Sequence, residues 1–110
     1  MLFNYLLKGL APLLTEALGV FALVFVVGCA VTSPTPAPWA PVAYSATLAV
    51  MVYATWEASG AHLNPGVTFA LALLGKTSYR KMMSYWLFQL LGAFAAAATY
   101  KMLAMKGIMA

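Results

Sequence analysis

Polar positions are sparse along this chain, and where they fall divides it into segments. The first long apolar run extends from about residue 11 to residue 32 and carries a charge only at Glu16. At about 1.5 Å per residue this is enough to cross a ~30 Å hydrocarbon core, so it predicts a first transmembrane helix. Ser33 to Pro41 follows, with prolines at 34, 36, 38 and 41 that remove N–H donors and favour an extended, solvated loop. A second helix, starting at Pro41 or just after it, is predicted over about residues 42–58, with Trp39 and Trp56 near its ends where interfacial aromatics belong. The pattern then changes. In Ser59-Gly60-Ala61-His62-Leu63-Asn64-Pro65-Gly66-Val67-Thr68, Asn64 can cap a helix and Pro65 fits the first helical position, where a missing N–H costs nothing. The apolar stretch from Val67 to Leu74 ends at Gly75-Lys76, which gives a helix of about 11 residues and roughly 16 Å, half of a bilayer core. Such a segment is too short to span. It predicts a re-entrant loop and half-helix over 59–75, stable in lipid only where protein or a water-filled cavity shields its free backbone groups. A third transmembrane helix is predicted over about 82–104, and its Gly92-Ala93 and Ala95 to Ala98 offer small residues for close helix packing. The predicted fold class is an all-α membrane protein, a single unit over 1–110, with three transmembrane helices and one half-spanning re-entrant helix.

Composition agrees with that pattern. Hydrophobic residues make up 65% of the 110 positions and charged residues 7%, with a mean hydropathy of +0.91, which implies a multi-pass integral membrane protein. Six Lys and Arg stand against two acidic residues, but the cations lie at segment ends and form no stripe or groove. They read as interfacial anchors and not as a nucleic-acid surface. Lys8, Lys76, Arg80 and Lys81 fall on one side and Lys101 and Lys106 on the other, which favours an inside N-terminus with the Pro-rich loop and the C-terminus outside. Lys8 and the run to Cys29 loosely resemble a lipoprotein signal, yet Glu16 interrupts the run and the run exceeds a signal's ~7–15 residue core. Cys29 is the only cysteine, so no disulfide can form within the chain. His62 has no Cys, Asp or second His near it in the sequence, so neither a metal site nor a cofactor is expected. With no nucleophile or paired carboxylates, an enzyme is not expected either.

Residues 59–68 resemble the first signature loop of the aquaporin and glycerol-facilitator family, the major intrinsic proteins, with Gly66 standing where the family reads Asn-Pro-Ala. The flanks are similar too: Thr15-Glu16, Leu18-Gly19 and Phe25 resemble the family's first helix, Val50 to Ala54 its second, and Tyr85 to Ala93 its third. The resemblance runs from about residue 12 to residue 104. It covers the first of the two inverted halves that family members contain, with no second Asn-Pro motif and no following arginine of the outer constriction.

The resemblance implies roles for particular residues. Asn64, at the positive end of a half-helix, would orient a water or alcohol oxygen, and the carbonyls of Gly60, Ala61 and His62 would accept hydrogen bonds from the permeant. Glu16, costly in lipid unless it finds donors, would receive the loop's backbone, with Gln89 in the same polar network. Tyr44, twenty residues before Asn64, is either an aromatic of the outer constriction or one more interfacial tyrosine. Gly66 removes a methyl where two half-helices would touch. The expected function is a component of a passive channel for water or small uncharged solutes. A half-helix sheltered by three helices would leave polar backbone facing lipid, so an obligate partner is expected: an inverted copy, a chain carrying the second half, or a larger membrane complex. The last would make the chain a non-transporting structural subunit, and a truncated fragment is a further alternative.

Overall fold

In the computed structural model, which describes residues 1–32 and 38–108, the chain forms four helices: α1 (Leu2–Val31), α2 (Ala40–Ser59), α3 (Pro65–Leu73) and α4 (Tyr79–Met105). No strand occurs among the described residues. α1 and α4 are long and apolar enough to cross a membrane.

α1 begins nine residues earlier than the expected start at 11. Leu-rich residues 2–10 are good helix formers, and Pro12 within the helix removes only one hydrogen bond, the one its missing N–H would have made to the Lys8 carbonyl. α2 starts at Ala40 and takes in Pro41 as a first-turn residue, which the expected loop over 33–41 had included. Residues 33–37 of that loop lie outside the described residues. The short helix has nine residues where about 11 were expected, because Gly75 at φ 74° turns the chain and the N–H groups of Lys76 and Thr77 fold back onto the Leu71 carbonyl. Ser78 caps α4 by accepting from Lys81 N at 3.1 Å, which starts that helix three residues before the expected 82.

α1 packs between α2 and α4, and α3 packs on α4. α1 and α4 run parallel: Glu16 meets Gln89, Ala17 meets Gly92, and Thr32 at the far end hydrogen-bonds Tyr100. Gly92 permits the approach, since a Cβ there would run into the Ala17 carbonyl. The small apolar core is Val20, Leu23 and Leu63, flanked by Val24, Met51, Val52 and Ala93. α2 touches the bundle on one side only, burying Thr55 and Ser59 and leaving Val42, Tyr44, Val50, Tyr53 and Trp56 exposed. The core thus sits against the loop before α3 and holds it from the side of α1.

Candidate functional site

Between α2 and α3 the chain reverses within five residues. Gly60 ends α2 in the left-handed region at φ 84°, a conformation in which glycine carries no Cβ penalty. Ala61 at φ 51° and Leu63 at φ 54° share that region although both carry a Cβ, so outside contacts must hold them there.

Those contacts come mainly from Glu16, which is fully buried. Its Oε1 accepts from Ser59 Oγ at 2.7 Å and from the His62 backbone N–H at 3.0 Å, and its Oε2 accepts from the Leu63 N–H at 2.7 Å and from Gln89 Nε2 at 3.0 Å. Four donors therefore converge on one carboxylate, about the full acceptor capacity of such a group. Of the remaining loop N–H groups, that of Gly60 donates to the Trp56 carbonyl at 2.8 Å and that of Ala61 to Ser59 Oγ at 3.2 Å, while that of Asn64 makes no hydrogen bond among the described residues. Among the described residues no hydrogen bond reaches the carbonyls of Gly60, Ala61 or His62. From Gly60 to His62 the loop thus engages its donors and leaves its carbonyls free.

α4 holds the end of α2 and the start of α3 through little more than one of its turns. Tyr85 donates its hydroxyl to the Ser59 carbonyl at 2.6 Å, Trp86 Nε1 donates to the Pro65 carbonyl at 2.9 Å, and Gln89 Nε2 donates to Thr68 Oγ1 at 2.9 Å as well as to Glu16. His62 is buried, with Nδ1 2.9 Å from Thr68 Oγ1 and its ring 4.7 Å from that of Tyr85. Lys81 Nζ sits 5.2 Å from the centre of the Tyr85 ring. Gln89 Oε1 is buried without a partner.

Asn64 caps α3 from an extended conformation, its Oδ1 accepting from Gly66 N–H at 2.7 Å. With that oxygen engaged, the exposed side chain offers its amide donors at the positive end of the helix. Asn64, Leu63 and Pro65 line a groove of about 490 Å³ together with Tyr44 of α2, Val24 of α1 and Gln89 of α4. The structure thereby places Tyr44 and Asn64 along one groove, brings Glu16 and Gln89 together beneath the loop, and seats His62 inward while its carbonyl is free. Gly66 is exposed, and a Cβ there would meet only Asn64 Oδ1, at 3.1 Å.

The sequence reading assigned no role to Ser59, Thr68, Tyr85 or Trp86. All four lie within the segments that carry the family resemblance, but the partners they bond lie 21 to 43 residues away.

Two apolar helices of membrane-crossing length, packed around a buried and fully hydrogen-bonded carboxylate, fit a helical integral membrane protein. A family model described as major intrinsic protein matches residues 6–110, and the chain belongs to that family. Among curated relatives, "Aquaporin NIP1-2" of Arabidopsis thaliana is 34% identical over 101 residues, covering 86% of this chain and 34% of the relative. "Aquaporin Z" of Brucella melitensis is 41% identical over 56 residues (51% of this chain, 25% of the relative). "Aquaporin-9" of Mus musculus is 38% identical over 69 residues (63% and 23%). The chain spans about a third of the length of the curated relatives it matches. No solved structure matches it significantly.

Proposed function

We propose that this chain supplies one half of a passive transmembrane channel for water or small uncharged solutes, in which α1, α2 and α4 cross the bilayer and the 60–64 loop with α3 is re-entrant. The observation that carries the reading is the sorting of polar groups in the loop. The N–H donors of residues 60–63 are tied down, His62 and Leu63 on Glu16, while the carbonyls of Gly60, Ala61 and His62 and the amide donors of Asn64 stay free. A file of water needs acceptors along its path and a donor at the turn. The nine residues of α3 add a macrodipole of about half an elementary charge behind Asn64, which draws a water or alcohol oxygen toward it. Tyr44 lines the same groove, where an aromatic side chain suits a constriction.

The groove is open on one side, so the pore is completed by a second half. That half is an inverted copy of this chain, a separate chain, or a further stretch of the same polypeptide. Osmotic shrinkage of proteoliposomes holding the chain alone, beside an Asn64→Ala variant and empty vesicles, tests the proposal. Fast flow lost in the variant supports a pore completed by inverted copies. A rate equal to empty vesicles, from protein shown to be folded and inserted, removes that version, and the same assay repeated with a second-half chain then decides between a split channel and a non-transporting structural subunit.

A further inference from the structure

α1 is longer than a bilayer requires. Its 30 residues measure about 45 Å against a ~30 Å hydrocarbon core, and even a tilt of ~40° leaves it about 34 Å along the membrane normal. The excess lies at its N-terminal end. Extending the parallel register of Glu16 beside Gln89 back by two turns brings Lys8 level with Lys81, so the exposed cations Lys8, Lys76, Arg80 and Lys81 gather at one height. A belt of this kind marks the headgroup layer. Leu2, Phe3, Leu6 and Leu7 lie beyond it, where a straight helix would hold them in water.

Residues 2–11 are also amphipathic. At about 100° per residue, Leu2, Phe3, Leu6, Leu7 and Leu10 share an arc of roughly 140°, while Asn4, Tyr5 and Lys8 fall on the other side. None of the five apolar side chains is covered by the rest of the molecule, and the most sheltered, Leu10, is still 41% exposed. Pro12 cannot donate to the Lys8 carbonyl, and a Cβ at Gly9 would meet nothing within 4 Å, so the helix is least supported between Lys8 and Pro12.

We infer that residues 2–11 form an interfacial arm that bends at Pro12 and lies on an anionic leaflet. Its Leu2, Phe3, Leu6, Leu7 and Leu10 face enters the boundary between headgroups and acyl chains, with Lys8, Lys76, Arg80 and Lys81 among the phosphates. The arm carries no acidic residue, and the cations at its height suit an anionic lipid surface. The inference is independent of whether the chain conducts water.

Single cysteines at Asn4, Tyr5, Leu6 and Leu7, placed one at a time in a Cys29→Ala background and spin-labelled, test it in the full chain. The protein is reconstituted into vesicles of phosphatidylcholine with phosphatidylglycerol, and collisions with oxygen and with a water-soluble nickel chelate are compared. Labels at Leu6 and Leu7 should favour oxygen several-fold over those at Asn4 and Tyr5, and the contrast should fall several-fold in vesicles of phosphatidylcholine alone. Equal nickel access at all four positions would overturn the arm, leaving it in water. Shielding of Leu6 and Leu7 from both reagents would overturn it in favour of a protein partner, and a contrast unchanged without phosphatidylglycerol would overturn the anionic preference.

Discussion

Replacing Glu16 with Gln changes one oxygen to an amide nitrogen, and the geometry makes the consequence calculable. Each carboxylate oxygen receives two donors, Oε1 those of Ser59 Oγ and His62 N–H, and Oε2 those of Leu63 N–H and Gln89 Nε2. An amide keeps one acceptor and aims two N–H groups at whichever pair of donors faces its nitrogen. Ser59 can turn its hydroxyl to the Thr55 carbonyl, already 3.2 Å away, and Gln89 Nε2 keeps Thr68. A backbone N–H, of His62 or of Leu63, has no such alternative. One buried unsatisfied N–H costs about 1–3 kcal/mol, and Glu16→Ala, which strands both, about 2–6 kcal/mol. For a chain near 100 residues, each kcal/mol lowers a melting midpoint by about 4–8 °C. Purified protein in detergent, melted while helicity is followed by circular dichroism, should rank wild type above Glu16→Gln above Glu16→Ala, the first step at least about 4 °C. A Glu16→Gln midpoint equal to that of wild type would refute the claim that the carboxylate holds the loop.

Three further outcomes are expected. Asn64→Asp keeps the cap oxygen that accepts from Gly66 N–H but loses the amide donors, so water flux through the completed pore should collapse with the midpoint within about 1 kcal/mol of wild type; unchanged flux in osmotic shrinkage would count against Asn64 as a contact for the permeant. Gly66→Ala meets only Asn64 Oδ1 and should raise stability by up to about 1 kcal/mol; a loss in the same melt would mean that the cap cannot yield. Gly92→Ala forces a methyl into the Ala17 carbonyl and should cost about 1–3 kcal/mol, whereas Gly75→Asn, at an open left-handed turn, should cost less; equal midpoints would argue against close packing of α1 on α4.

What could be read from the sequence was whatever depends on neighbours along the chain. The apolar runs located all four helices, and the Asn64-Pro65 pair located the start of α3, because helix caps and hydrophobic periods act over a few residues. The early start of α1 was missed because Lys8 and Pro12 look like a boundary, although neither stops a Leu-rich helix. At the site, Glu16 stood out as a costly carboxylate in an apolar run, and Gln89 was placed beside it by the family resemblance. Ser59, Thr68, Tyr85 and Trp86 did not, since the groups they bond belong to other elements and nothing local announces the distance. The positive φ of Ala61 and Leu63 was likewise invisible, because neither residue type prefers it and the groups that hold the loop, Ser59 Oγ on Ala61 and Glu16 on Leu63, are joined to each other only across the fold.

That clamp also orders events in time. Glu16 leaves the ribosome 43 to 47 residues before Ser59, His62 and Leu63, and 73 before Gln89. During that interval α1 must either carry an unpaired carboxylate into lipid, at a cost of about 2.5–3.5 kcal/mol near a helix centre, or wait at the membrane surface or beside the translocation machinery. Synthesis of α2 and the loop delivers the first donors and synthesis of α4 the last, so the carboxylate at the middle of α1 is satisfied only by residues translated long after it.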